Sequence, residues 1–201
     1  LQHYVWLGER RGSKLRGHRL GFSLILLPVA ALIALLVWAS AQSADNPGGV
    51  AINRNFGEIP ITVGPAPTFS LPLLGGGHLQ LEALRGKVVM IDFWSSWCPP
   101  CLQEAPVLSD AYGHYAGQEV EFLGVAIWDT ADDISEHIEQ FQLNYPNTLD
   151  SEGRVAINYG VRGVPEKYFI DRNGMLVRKF SGPVSADKLH AIIDELLILG
   201  D

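Results

Sequence analysis

The sequence predicts a single α/β domain, with a central mixed sheet flanked by helices, preceded by one membrane-spanning helix. Three observations support this. Residues 20–40 carry no charge, strand and helix patterns alternate from residue 63 onward, and a chain of 201 residues that is 47% hydrophobic can form one core of ordinary size. The predicted organisation is a cytoplasmic basic tail at 1–19, an anchor at 20–40, a linker at 41–62 and a domain at 63–201.

The predicted anchor is long enough to span a bilayer, since 21 helical residues rise roughly 30 Å. Five basic residues and one acid precede it, and no further basic residue occurs until Arg54, so the positive-inside rule places the domain outside the cytoplasmic membrane. Residues 39–41 read Ala-Ser-Ala, which fits a signal-peptidase site and leaves a cleaved signal as the alternative. The length of the apolar stretch favours an uncleaved anchor, because signal cores are usually about 7–15 residues long.

Charge excludes one class of function. The chain has 15 basic and 22 acidic residues, of which five and one lie before residue 41, leaving 10 and 21 for the remainder. A domain this acidic repels phosphate backbones, which argues against nucleic-acid binding. A basic protein partner and a solvated acidic surface both remain compatible with it.

The elements of the domain follow from local patterns. The apolar run at 88–94 predicts a strand that is buried on both faces. Ile134, Ile138 and Phe141 form one helical stripe after a Thr130 cap. In chain order, we expect a hairpin at 68–74 and 78–81, a strand at 88–94, a helix at 99–115, a strand at 122–127, a helix after Thr130, a hairpin at 167–170 and 175–180, and a helix from 185.

The candidate reactive centre is the segment Trp-Cys-Pro-Pro-Cys at 97–101. Cys98 and Cys101 are the only cysteines in the chain, which excludes a disulfide scaffold. A Cys-x-x-Cys pair at the start of a helix after a buried strand is typical of redox centres, because the helix N-terminus stabilises a thiolate. We therefore predict Cys98 as the attacking nucleophile and Cys101 as the resolving thiol.

Other uses of this motif fit the sequence poorly. A zinc site needs four ligands, and the six histidines offer no pair at the required spacing. Covalent haem attachment requires histidine after the second cysteine, where this chain has Leu102. A structural disulfide over so short a loop would stabilise little. We therefore predict neither a metal nor a cofactor beyond the redox-active disulfide.

Two longer stretches resemble a known family. Residues 88–106, which include the cysteine motif, and residues 159–171, Tyr-Gly-Val-Arg-Gly-Val-Pro-Glu-Lys-Tyr-Phe-Ile-Asp, resemble the membrane-anchored thioredoxin-like proteins of the TlpA, ResA and DsbE (CcmG) type. The resemblance covers residues 63–201 and implies a thioredoxin fold with an N-terminal β-hairpin and an inserted helix at about 130–143. It further implies reduction of disulfides outside the membrane, commonly the haem-binding cysteines of apocytochrome c, with electrons from a membrane thiol transporter of the CcdA or DsbD type.

The resemblance also assigns substrate contacts. Pro165 matches a cis proline opposite the disulfide, and Val164, Pro165 and Trp97 are expected to bind substrate. Trp94 and Trp97 are expected to shield the sulfurs and offer a flat docking surface, with a plain core position as the alternative for Trp94.

Two carboxylates complete the predicted site. Asp92 matches the buried aspartate of cytoplasmic thioredoxins and is a candidate proton acceptor for Cys101, or else a structural hydrogen-bonding group. Glu104 matches a glutamate of ResA-like members that tunes the cysteine pKa values, and a solvated glutamate at the helix start is the alternative. Lys167 departs from the threonine of the cytochrome-maturation branch, which leaves the branch open.

Three competing functions remain at this stage. The same motif supports a broader disulfide oxidant or isomerase, because the direction of exchange depends on redox potential. Residues 66–71, Ala-Pro-Thr-Phe-Ser-Leu, resemble the opening of many thiol peroxidases, although Ile91 stands where those enzymes have a proline. A copper-delivery module is disfavoured because such carriers use Cys-x₃-Cys.

Overall fold

The computed structural model of the chain describes residues 26–38, 52–53 and 56–199. The chain divides into two units, Leu1–Gly49 and Val50–Asp201. In the first, residues 26–38 form helix α1 with exposed side chains. Within the described ranges, no helix combines the length and apolarity needed to cross a membrane. The basic tail, residues 20–25 and 39–40 of the predicted anchor, and most of the linker lie outside these ranges.

The second unit is the α/β domain. Its strands are β1 (Gly57–Ile59), β2 (Gly64–Pro65), β3 (Ser70–Pro72), β4 (His78–Gln80), β5 (Val88–Trp94), β6 (Val120–Ala126), β7 (Asn147–Leu149), β8 (Glu166–Ile170) and β9 (Met175–Ser181). Its helices are a 3₁₀ turn (Leu81–Leu84), α2 (Pro99–His114), α3 (Ala131–Phe141), α4 (Arg154–Tyr159) and α5 (Ala186–Leu199).

The main sheet is mixed, as predicted. Its strand order is β1-β9-β8-β5-β6-β7, with β2 also paired to β9. Strand β5 runs parallel to β6 and antiparallel to β8. All seven residues of β5 are buried, which confirms the prediction from its apolar run.

The predicted helices and hairpins are present. Thr130 accepts a hydrogen bond from the Asp133 N–H and caps α3, which buries Ile134. Strands β3 and β4 form the N-terminal hairpin, and β8 and β9 pair across the Asn173-Gly174 turn. Helix α5 buries Leu189, Ile192, Ile193 and Leu196.

The predicted linker at 41–62 is too long. Strand β1, at 57–59, pairs with the outer edge of β9, and the Asn53 N–H donates to the Val164 carbonyl at 2.9 Å. The domain therefore begins ahead of residue 63. Backbone hydrogen bonds to an existing edge need only three residues, too few to produce a recognisable alternation of polar and apolar side chains.

Candidate active site

The two cysteines form a disulfide at the start of α2, with their Cα atoms 5.3 Å apart. Cys98 is the N-cap residue, and Cys98 Sγ accepts a hydrogen bond from the Cys101 N–H at 3.3 Å. Pro99 and Pro100 occupy the first two helical positions, so the amide of Cys101 is the first helix donor that can reach the Cys98 sulfur. The predicted redox pair is therefore formed, with a single backbone N–H directed at the Cys98 sulfur.

Both cysteines are shielded from solvent in this disulfide form. Cys98 is 0% and Cys101 3% exposed. Attack on either sulfur by a thiol from another protein therefore requires local movement of the covering residues.

Three buried charged groups contact one another between α2 and the central strands. Asp92 on β5, Glu104 on α2 and Lys167 on β8 are at most 2% exposed. Lys167 Nζ contacts Glu104 Oε1, lies 3.5 Å from Asp92 Oδ1 and donates to the Gly182 carbonyl at 3.2 Å. Glu104 Oε2 accepts from the Val184 N–H at 3.0 Å. We call Asp92 and Glu104 the carboxylate pair.

Helix and strand geometry brings this group to the sulfurs. Glu104 follows Cys101 by three residues, which places the two side chains on one face of α2, about 5–6 Å apart at Cβ. Asp92 faces Lys167 in the β5–β8 register. Glu104 is thus buried at the site, and its alternative as a solvated glutamate is wrong.

Burial dominates the protonation of the carboxylate pair. It raises the pKa of Glu104 from 4.5 to about 7; the charge of Asp92 adds to this effect and that of Lys167 opposes it. Burial also raises the pKa of Asp92, again against the effect of Lys167. The pair therefore keeps a proton at pH values where exposed carboxyl groups have lost theirs.

The predicted cis peptide bond is present between Val164 and Pro165. Val164 is 0% exposed, so its side chain belongs to the core. Its carbonyl accepts the Asn53 N–H, and the Pro165 carbonyl accepts Asn53 Nδ2 at 2.9 Å. Any substrate strand that used the Val164 carbonyl would have to displace Asn53.

Exposed aromatic surface lies beside the disulfide. Trp97 is 39% exposed, and its Nε1 donates to the Trp128 carbonyl at 3.0 Å. Trp128 is itself 42% exposed and has a φ of 55°. Asp129 fixes this loop to the active-site loop by accepting from the Ser96 N–H at 2.6 Å and from Ser96 Oγ at 3.0 Å.

The sequence missed Trp128 and left Trp94 open between a docking surface and a core position. Trp94 is 2% exposed, and its Nε1 donates to Asn147 Oδ1 at 3.1 Å, so it is a core residue and offers no docking surface. The signal for Trp128 was a large aromatic residue two positions after the end of β6, just ahead of the Thr130 cap of α3.

Comparison with known proteins fits this geometry. The model of the family described as AhpC/TSA matches residues 63–179. The chain belongs to the AhpC/TSA family.

Named relatives of this AhpC/TSA-family protein are thiol–disulfide oxidoreductases. It is 31% identical to the thiol-disulfide oxidoreductase ResA of Geobacillus thermodenitrificans over 131 residues, which cover 65% of this chain and 75% of that protein. It is 30% identical to ResA of Bacillus subtilis over 125 residues, 62% of this chain and 70% of the relative.

Solved structures show the same fold. The structure of dsbF from MTB, in mixed oxidised and reduced forms, has a TM-score of 0.61 and 31% identity over 67% of this chain and 99% of that one. A thiol:disulfide interchange protein from Chlorobium tepidum has a TM-score of 0.63 and 25% identity over 69% and 99%. The resemblance to ResA and DsbE, the thioredoxin-like fold and the enzyme class, thiol–disulfide oxidoreductase, are confirmed.

Proposed function

We propose that the protein is a disulfide reductase that acts outside the cytoplasmic membrane on the haem-binding cysteine pair of apocytochrome c. In the reduced enzyme, the Cys98 thiolate attacks a substrate sulfur and releases one substrate thiol. Cys101 then attacks Cys98 of the mixed disulfide, which releases the second substrate thiol and leaves the disulfide seen in the structure. Two electrons and two protons pass from enzyme to substrate.

The carboxylate pair carries the argument for reduction over oxidation. Strong oxidants of this fold owe their potential to a stabilised reduced form, and in particular a stabilised thiolate. Here two buried carboxyl groups share one ammonium, and one of them, Glu104, lies one helical turn after Cys101, while Pro99 and Pro100 withhold two N–H donors. This environment does not favour a thiolate, so the disulfide form is stabilised and the dithiol is the stronger reductant.

Anchoring and the electron donor are further parts of the proposal. The uncharged stretch at 20–40 and the basic residues before it support a single-pass anchor with the catalytic domain outside. A membrane thiol transporter of the CcdA or DsbD type would then return the enzyme to its dithiol form.

The first test is to trap the substrate. Replacing Cys101 with Ala removes the resolving thiol, so the substrate stays covalently bound to Cys98. Recovery of apocytochrome c from the trapped complex supports the proposal, and recovery of many unrelated secreted proteins refutes its substrate assignment. The variant that lacks both cysteines, Cys98→Ala with Cys101→Ala, is the matched control and should trap nothing.

The competing functions need separate measurements. A reduction potential near the strongly oxidising value of DsbA would favour the oxidant or isomerase. Membership of the AhpC/TSA family also makes a peroxidase assay worthwhile. Rapid turnover of hydrogen peroxide by the reduced protein would revive that alternative, although Ile91 lies in a buried strand where peroxidases have a proline.

A further inference from the structure

Lys167 is held rigidly among buried groups. Its side chain is fully buried, and its ammonium meets Glu104 Oε1, the Gly182 carbonyl and Asp92 Oδ1. An ammonium has three N–H donors, and here there are three acceptor groups around it. Its position on β8, opposite Asp92 on β5, is set by the strand register.

Among the described residues, ionisable groups approach Lys167 and the carboxylate pair from three elements of the fold. Asp92 approaches from β5, Glu104 from α2, and Tyr145, whose pKa is raised by burial and by the charges of both carboxylates, lies ahead of β7. The segment after β9 contributes only backbone, the Gly182 carbonyl to Lys167 and the Val184 N–H to Glu104.

The charges of this group do not balance when all are ionised. Two carboxylates and one ammonium would leave one uncompensated negative charge in a buried site, which is costly. Within the described residues, moreover, no donor makes a hydrogen bond to Asp92 Oδ1, so this oxygen depends on the ammonium 3.5 Å away. Loss of Lys167 would leave both carboxyl groups without a cation and favour their neutral forms.

We propose that Lys167 is a positioning residue for the resolving step: its ammonium holds the carboxylate pair at one negative charge, so that the pair can accept the proton of Cys101. The Cys101 S–H bond breaks as its proton moves to the pair, and the new thiolate forms a bond to Cys98. The bond between Cys98 and the substrate sulfur breaks, and the departing thiolate takes back a proton. The inference rests on the exchange chemistry of the proposed function and not on the identity of the substrate.

The test separates the two steps of exchange in time. The reduced full-length protein is mixed with an excess of an aromatic disulfide in a stopped-flow spectrometer across a range of pH. Attack by Cys98 releases the first aromatic thiol and resolution by Cys101 releases the second. The rate of the second phase should fall at low pH, where the carboxylate pair becomes fully protonated, and we call the midpoint of this fall the acid limb. In Lys167→Met, the acid limb should move to higher pH by about 1–3 units, the usual effect of one nearby cation on the pKa of a carboxyl group.

Lys179→Met is the matched control. Lys179 is a second buried lysine, on β9, and pairs with Glu166 at 2.8 Å, away from the carboxylate pair. Its loss should leave the limb of the second phase in place. An acid limb in folded Lys167→Met that coincides with that of the wild type would overturn the proposal.

A second variant serves if Lys167→Met does not fold. Lys167→Gln keeps an N–H donor for the Gly182 carbonyl but removes the cation, so the acid limb should again move to higher pH. An unchanged acid limb in folded Lys167→Gln would overturn the proposal. Because a synthetic disulfide is the substrate, either result is independent of whether apocytochrome c is the natural one.

Discussion

Because of Glu104, the oxidised protein should become less stable as the pH rises, the opposite of the usual effect of a carboxyl group. Its pKa rises from 4.5 in the unfolded chain to about 7 in the fold, so the folded form binds the proton more tightly. The stabilisation is fully present below about pH 4.5 and is lost as the pH rises through about 7. Raising the pKa from 4.5 to about 7, at about 1.4 kcal/mol for each pH unit, stabilises the protonated fold by about 3–4 kcal/mol.

Replacing Glu104 with Gln removes this contribution. Urea denaturation of both oxidised proteins at pH 5 and pH 8, at constant ionic strength, measures it directly. The wild type should lose about 2–3 kcal/mol more of its free energy of unfolding between the two pH values than Glu104→Gln does.

The control for this comparison is Glu58→Gln. Glu58 is a surface carboxylate whose pKa is lowered, chiefly by its hydrogen bond with Lys188. Its contribution has the opposite sign, since it is present at neutral pH and is lost on acidification. An equal change in the stability of Glu104→Gln and the wild type from pH 5 to pH 8 would show that Glu104 is not the group that titrates.

Two further substitutions test the surface and the core. Trp128→Ala should lower kcat/KM for a protein disulfide by about tenfold, a loss of about 1.4 kcal/mol, and should leave kcat/KM for small disulfides unchanged. The control Ile198→Ala, at another exposed apolar residue, should change neither value. An equal loss with small disulfides would contradict a docking role for Trp128. Gly124→Ala would place a Cβ 1.9 Å from Asn147 Oδ1, so urea denaturation should show a free energy of unfolding lower by about 1–3 kcal/mol. The control Gly113→Ala adds a Cβ in open space on α2 and should not destabilise the protein. A Gly124→Ala variant as stable as the wild type would show that this space can hold a Cβ.

Long, periodic elements could be predicted from the sequence. The apolar run of β5, the Thr130 cap of α3 and the Asn173-Gly174 turn between β8 and β9 are local signals, and each formed as expected. The elements that were missed are short. Strands β1, β2 and β7 have two or three residues each, and α4 has six, bounded by left-handed glycines at 153 and 160.

The candidate site divides in the same way. Cys98, Cys101 and Pro165 belong to motifs that are contiguous in sequence, and their arrangement follows from the local chain. The partnership of Lys167 with the carboxylate pair could not be foreseen, because β8 is buried on both faces and its sequence does not show which face each side chain occupies. That pairing depends on the register between β8 and β5, which is a property of the whole sheet.

Adjacent residues of β8 carry opposite charges to opposite faces of the sheet. Glu166 pairs with Lys179 on one face, and Lys167 pairs with the carboxylate pair on the other. A slip of β8 by one residue would bring Glu166 to the side of Asp92 and Glu104, and Lys167 to the side of Lys179. Three carboxylates would then be buried together and two ammonium groups together. The buried charges therefore penalise misaligned pairing of the strand that follows Pro165, and they favour the single register seen in the structure.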